Sequence, residues 1–320
     1  MKFPHPHRIE LPTIYGMKTV NAYLFTDPEP VLIDCGEGSE QSFQVLTQEL
    51  QRHGLKMSDL STVIITHAHV DHMGCLSTVA AHSDAEIWVS DLVYEWAVNV
   101  EEVRRIRVEA IDRVILDFHS DPDSPLRQML MSVYHGFGNN WGSVSADRVR
   151  TFGITDPLEF GGRRWETLYT PGHSNTQSCF YHAESRELIS SDMLLSITPS
   201  PVIEANPDPP YERIPALPQM LDSYQQINQL AIDQVYPGHY EPFTEAHEMI
   251  QKQVARIHFR KEQCLGLIKA GHADFMSLLQ QMYGKRMSLP AVPMMVGYLD
   301  LLLAEGKIDS RRTPEGLRFS

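Results

Sequence analysis

The chain has 320 residues, 42% of them hydrophobic and 21% charged, which is enough for one domain of roughly 200–250 residues plus a small one and too apolar for a disordered chain. Its net charge of −14 is uneven: residues 1–240 carry 16 basic and 32 acidic side chains, residues 241–320 carry 11 and 9. The acidic larger part argues against a polynucleotide substrate, and no stretch approaches the ~18 apolar residues of a membrane span.

The amino terminus, Met1 to Arg8, has no apolar core of the kind found in leader peptides, so a cytoplasmic location is expected. Strands are expected at Asn21–Phe25 and Val31–Gly36, then a helix over Ser39–His53 with Phe43, Leu46 and Leu50 on one face and Gly54 as its stop. The β-branched run Ser61–Ile65 reads as a buried strand. It leads into Thr66-His67-Ala68-His69-Val70-Asp71-His72, after which a helix is expected to about Ala81. Residues 91–150 form an insertion, helical from Tyr94 to Phe118 and then a stretch of aromatics alternating with glycine, Tyr134 to Gly142, expected as a loop that bends over a pocket. Tyr134, His135, Phe137 and Trp141 are its candidate substrate contacts, against the simpler reading that they pack the insertion onto the main fold.

Three further short apolar runs each end on a polar residue of the same chemistry: Tyr169-Thr170-Pro171-Gly172-His173, Leu188-Ile189-Ser190-Ser191-Asp192 and Val235-Tyr236-Pro237-Gly238-His239. Two are preceded by Pro-Gly, which ends a strand sharply and fixes the next side chain. Residues 196–218, with seven of the 21 prolines, read as a stiff extended wall, and residues 219–230 as an amphipathic helix. Helices are then expected over Glu245–Ala270, Phe275–Tyr283 and Pro293–Glu305, followed by a hairpin. Cys35, Cys75, Cys179 and Cys264 contain no Cys-x-x-Cys pair and read as buried free thiols.

Side chains two apart on an extended loop point the same way. His67 and His69 can therefore grip one ion while Asp71 and His72 face a neighbouring position. With His173, Asp192 and His239 the set reaches five His and two Asp. The donors are all nitrogen or oxygen, so zinc is the first choice of metal, with iron or manganese as alternatives.

This His-x-His-x-Asp-His loop, followed by a distant His, an Asp and a last His, resembles the signature of the metallo-β-lactamase superfamily over roughly residues 15–245. The resemblance implies an α/β fold, the four-layer αββα sandwich, occupying residues 1–243 with 91–150 as a helical insertion or lid. It implies two divalent metal ions: His67, His69 and His173 on the first, Asp71, His72 and His239 on the second, and Asp192 bridging both. It also implies that Asp34 supports the ligand loop without being a ligand. Asp192 stands where one lactamase branch has Cys, and His69 where flavodiiron oxygen reductases have Glu. What remains is the group of dinuclear hydrolases that includes the glyoxalase II-like enzymes.

Residues 244–320 resemble the small carboxyl-terminal winged helix of one subgroup of that superfamily. The third helix, residues 293–305, carries no Lys or Arg, so packing or a homodimer contact is favoured over nucleic-acid recognition. His258 and Arg260 are candidates for contacting an anionic group of the substrate, or for tying the two domains together.

The expectation is a dinuclear metallohydrolase in which a water shared by the two ions attacks a small carbonyl substrate, a thioester or lactone, and Asp71 orients that water as the catalytic carboxylate. The alternatives are a phosphodiesterase or single-stranded RNA endonuclease, and a mononuclear iron dioxygenase acting on a persulfide. A small-molecule substrate is the expected partner, nucleic acid is disfavoured, and no membrane is involved.

Overall fold

Residues 3–15, 17–136, 141–284 and 288–320 are described by the structure, a computed structural model. Six strands form the first sheet in sequence order: β1 His7–Pro12, β2 Thr19–Phe25, β3 Val31–Ile33, β4 Thr62–Ile64, β5 Glu86–Ser90 and β6 Val149–Phe152. β1 to β3 pair antiparallel and β3 to β6 parallel. The second sheet takes β7 Leu158–Phe160, β8 Arg163–Tyr169, β9 Ser178–His182 and β10 Glu187–Ser191, skips the short hairpin of β11 Glu204–Ala205 and β12 Arg213–Ile214, and adds β13 Gln234–Pro237 parallel to β10.

The two sheets face each other, and the period-2 alternation of their strands separates three apolar clusters. Val31 and Ile33 of β3 point between the sheets, into a core with Phe25, Ile64, Phe160, Trp165, Phe180 and Ile189. Leu32, Val63 and Ile65 point the other way, into a cluster covered by α1 Glu40–Arg52, α2 Val70–Met73, α3 Leu76–His82 and α4 Tyr94–Val98. Ser39 caps α1 by accepting from Ser42 N–H. Helix, sheet, sheet, helix is the expected layering.

The insertion departs from its expected form. Its first helix is broken at Asn99 (φ −142°, ψ 41°), which ends α4 and starts α5 Val100–Phe118. The expected loop at 134–142 is instead, in part, the last turn of a third helix, α6 Pro125–Gly136, which contains Tyr134 and His135. Pro125 occupies the first helical position, where its missing N–H is no loss, and Ser124 Oγ accepts from Arg127 N–H at 3.3 Å.

The outer face of the second sheet is covered by α7 Ala216–Ile227 and by a carboxyl-terminal run of α8 Ala246–Lys269, α9 Phe275–Tyr283, α10 Ala291–Ala304 and the hairpin β14 Ser310–Thr313, β15 Gly316–Phe319. These helices share one apolar cluster with α5 and α6, containing Ile111, Phe118, Met220, Ile257, Phe275, Leu299 and Phe319. α10 packs on α7, α8 and α9, with Met295 to Leu302 buried without a break. No helix among the described residues is long and apolar enough to cross a membrane. All four cysteines are free and buried, as expected. A groove at the sheets' edge lined by Trp88, Arg150 and Leu158 carries none of the candidate ligands.

Candidate metal centre

The seven side chains singled out by the sequence follow the carboxyl ends of β4, β8, β10 and β13, with Asp71 and His72 on the short α2 and the others on loops, and the fold brings them to one place. Their donor atoms form three groups, each within 4.8 Å: His67, His69 and His173; His67, His72 and Asp192; and Asp71, His72 and His239. Asp192 is the hub, with its carboxylate 3.3 Å from His72 Nε2, 3.3 Å from His173 Nε2 and 3.2 Å from His239 Nε2. Asp71 lies 3.4 Å from His239 Nε2 on the opposite flank.

Four imidazoles are fixed through Nδ1, which settles the atom each presents inward. His72 Nδ1 donates to Asp34 at 2.8 Å, His173 Nδ1 to Ser200 O at 2.9 Å and His239 Nδ1 to Thr19 O at 2.6 Å. Thr66 Oγ1 gives its proton to Asp34 at 2.8 Å and accepts from His67 Nδ1 at 3.0 Å. His69 is the exception, turning Nδ1 toward His173 Nε2 at 2.9 Å. The Nε2 atoms of these four rings therefore converge on one place, beside Asp192.

Cations fit this donor set. His67 Nε2, His72 Nε2 and Asp192 Oδ1 are buried and have no hydrogen-bond partner, a state that costs free energy unless something positive sits among them. The backbone leaves room for it. A Cβ on Gly238 would come within 2.1 Å of Asp192 Oδ1 and 2.7 Å of His72 Cε1, so only glycine lets the last ligand loop approach this closely.

The charges of the metal-free site divide the histidines. Burial pushes His67, His69 and His173 below the usual range, helped for His67 by His72 and for His69 by His173 and Arg107. Burial also opposes charge on His72 and His239, but Asp192 and Asp71 outweigh it and push His239 up to about 10. Burial alone would raise the two carboxyls, and the same histidines hold both below the usual range. His239 is thus protonated in the metal-free protein at pH 7–8 and must lose that proton to ligate a cation. Metal binding at pH 7.5 is expected to release at least about one proton per chain, with affinity rising as pH approaches 10. Calorimetry in buffers of different ionisation enthalpy reads this, and metal binding without proton release would contradict it.

Asp34 lies between the ligand loop and one of its imidazoles. It accepts from Thr66 N–H at 2.9 Å, from Thr66 Oγ1 and from His72 Nδ1, and its φ of 58° is a left-handed conformation that Asp and Asn tolerate. Asp34→Asn keeps that backbone but can turn an amide N–H toward His72 Nδ1–H, which disfavours the ligating tautomer. Metal affinity is expected to fall about 10–100-fold in a folded protein; unchanged affinity by competitive chelation would rule out this role.

The candidate substrate contacts fare differently. Trp141 is buried, 7% exposed, and stacked on Trp96 at 5.3 Å in the cluster outside the first sheet, so it packs the insertion and is not a wall of the site. Tyr134 is half-buried on α6 against the other apolar cluster, near Arg107 and Glu204. His135 is exposed, and its carbonyl accepts from Arg104 at 3.3 Å. Phe137 lies outside the described residues. His258 is exposed on α8, while Arg260 donates to Met282 O and lies over Tyr283, linking α8 to α9. Sequence reasoning missed Thr66, the carbonyl acceptors Thr19 and Ser200, and Arg107 with its partner Glu204.

Residues 15–239 match the family model described as the metallo-beta-lactamase superfamily. A Bacillus subtilis (strain 168) protein named "Probable metallo-hydrolase YqjP" is 26% identical over 94% of this chain and 93% of its own. An Aspergillus fumigatus protein named "Atrochrysone carboxyl ACP thioesterase" is 22% identical over 78% of this chain, which spans 59% of that relative's length. The crystal structure of a metallo-beta-lactamase family protein from Thermus thermophilus superposes with a TM-score of 0.79 at 23% identity, covering 99% of this chain and 98% of the other. That likeness shows the fold over the whole length, carboxyl-terminal helices included.

Proposed function

The chain belongs to the metallo-β-lactamase superfamily, and from that membership we propose that it is a dinuclear metal-dependent hydrolase of small carbonyl substrates, thioesters or lactones. The observation that carries the reading is the convergence of unpartnered His67 Nε2, His72 Nε2 and Asp192 Oδ1 between two outer groups, His69 with His173 and Asp71 with His239. In this reading His67, His69 and His173 would hold one ion and Asp71, His72 and His239 a second, with Asp192 available to each. Divalent cations bound there, zinc first by donor type, supply Lewis acidity and bring the pKa of water toward neutrality.

The chain's own residues do the rest. The Asp71 carboxylate, held ionised by His72 and His239, accepts a hydrogen bond from the attacking water and aims it at the carbonyl carbon. Asp34, Thr66 and the Thr19 and Ser200 carbonyls keep the imidazoles in their ligating tautomer. The thioesterase named among the relatives supports the carbonyl class. The burial of α10 argues against RNA, because that helix has no free face to offer a groove.

A hydrolysis panel on metal-quantified protein tests this, with thioesters, lactones, phosphodiesters, RNA and a cephalosporin. Thioester or lactone turnover that disappears with chelator and returns with metal is expected. Turnover of phosphodiesters or RNA without any carbonyl substrate would overturn it.

A further inference from the structure

We infer that Arg107, seated between Glu204 and Trp96 with Arg104 one turn before it on α5, selects substrates that carry a carboxylate or phosphate group away from the scissile bond. This rests on the hydrolase reading and adds the feature of the substrate that the insertion recognises.

The segment that holds Arg107 is bound to a candidate ligand. Ser200 O accepts from His173 Nδ1 at 2.9 Å, and Val202 N–H donates to His173 O at 3.2 Å. Two residues later Glu204 accepts from Arg107 Nη2 at 2.8 Å, and Glu204 also accepts from the backbone of Asn175 on the His173 loop. The guanidinium lies 5.1 Å over the Trp96 ring. Glu204 and Trp96 thus fix a planar cation beside the first ligand group, close enough for its charge to act on His69.

Arg104, one turn earlier on the same helix, donates to His135 O at 3.3 Å, so α5 carries a second cation close to Arg107 in sequence. An arginine has five N–H donors in a rigid fork. Glu204 engages one of Arg107's, which leaves donors for a ligand oxygen.

The test is equilibrium binding to zinc-loaded protein of 4-(phenylthio)butanoate, its uncharged primary amide and 3-(phenylthio)propyl phosphate, none of which contains a thioester or carboxylic ester to cleave. Arg107→Met alone would leave Glu204 unpaired in the interior, so the variants are the Arg107→Met/Glu204→Gln double substitution and Arg104→Met. Wild-type protein is expected to bind an anionic compound about 10–100-fold more tightly than the amide, the scale of a charge-assisted hydrogen bond. The double variant is expected to bring that ratio close to one with zinc content unchanged, and Arg104→Met to lower it in part. Which anion binds more tightly tells carboxylate from phosphate. Equal affinity of wild type for acid and amide, or a preference that survives the double substitution, would overturn the assignment. An intact, arginine-dependent preference in a protein that cleaves no panel substrate would uphold it and count against the hydrolase reading alone.

Discussion

Asp192→Ala is expected to lose metal and activity together. Asp192 is 2% exposed and lies within 3.2–3.3 Å of three imidazoles, so in the proposed dinuclear site its removal would take a ligand from both ions, and it takes the counter-charge from His72 and His239. The deficit should exceed the ~10–100-fold that loss of an outer-shell partner costs in metal affinity. In the metal-free state His72 and His239 should titrate lower, because the carboxylate that raises them is gone. Metal analysis after gel filtration, with hydrolysis on the same sample, reads both effects. Two retained ions with wild-type turnover would remove Asp192 from the centre.

Asp71→Asn separates holding metal from using it. The amide is isosteric and keeps one oxygen toward His239, but it loses the charge with which Asp71, in the proposed mechanism, draws the attacking water's proton. Turnover is expected to fall about 10²–10⁴-fold, the range of general acid–base contributions, while most of the metal stays bound. Near-normal kcat in a metal-replete Asp71→Asn protein would refute this role. The contrast with Asp192→Ala is the informative part, because a purely structural account makes the two variants alike.

The residues that chemistry makes conspicuous were legible in the sequence. His67, His69, Asp71 and His72 fall in six consecutive positions, and His173, Asp192 and His239 each close a short strand, where a polar side chain must have a reason to be. Their supports were less so. Thr66 and Ser191 are ordinary residue types whose roles appear only when β4 and β10 meet, with Thr66 Oγ1 2.9 Å from Ser191 Oγ. Backbone acceptors such as Thr19 O and Ser200 O leave no mark in a sequence.

The insertion was misread where composition outweighed capping. Aromatics spaced by glycine point to a loop, yet Ser124-Pro125 is a helix start, and Leu126 and Leu130 supply the buried face of α6. Arg107 sits in a run of charges on α5 that reads as a solvated face, and only the fold shows it reaching Glu204 from 97 residues away. The carboxyl-terminal helices were found nearly to the residue because their apolar periods are long, whereas the cluster they share with α5, α6 and α7 is a tertiary fact.

Anomalous diffraction at the absorption edges of the bound metal tests the central claim most directly. Two ions per chain are expected, one among His67, His69 and His173, the other among Asp71, His72 and His239, with Asp192 touching both. A single ion, or metal bound away from these seven side chains, would contradict it.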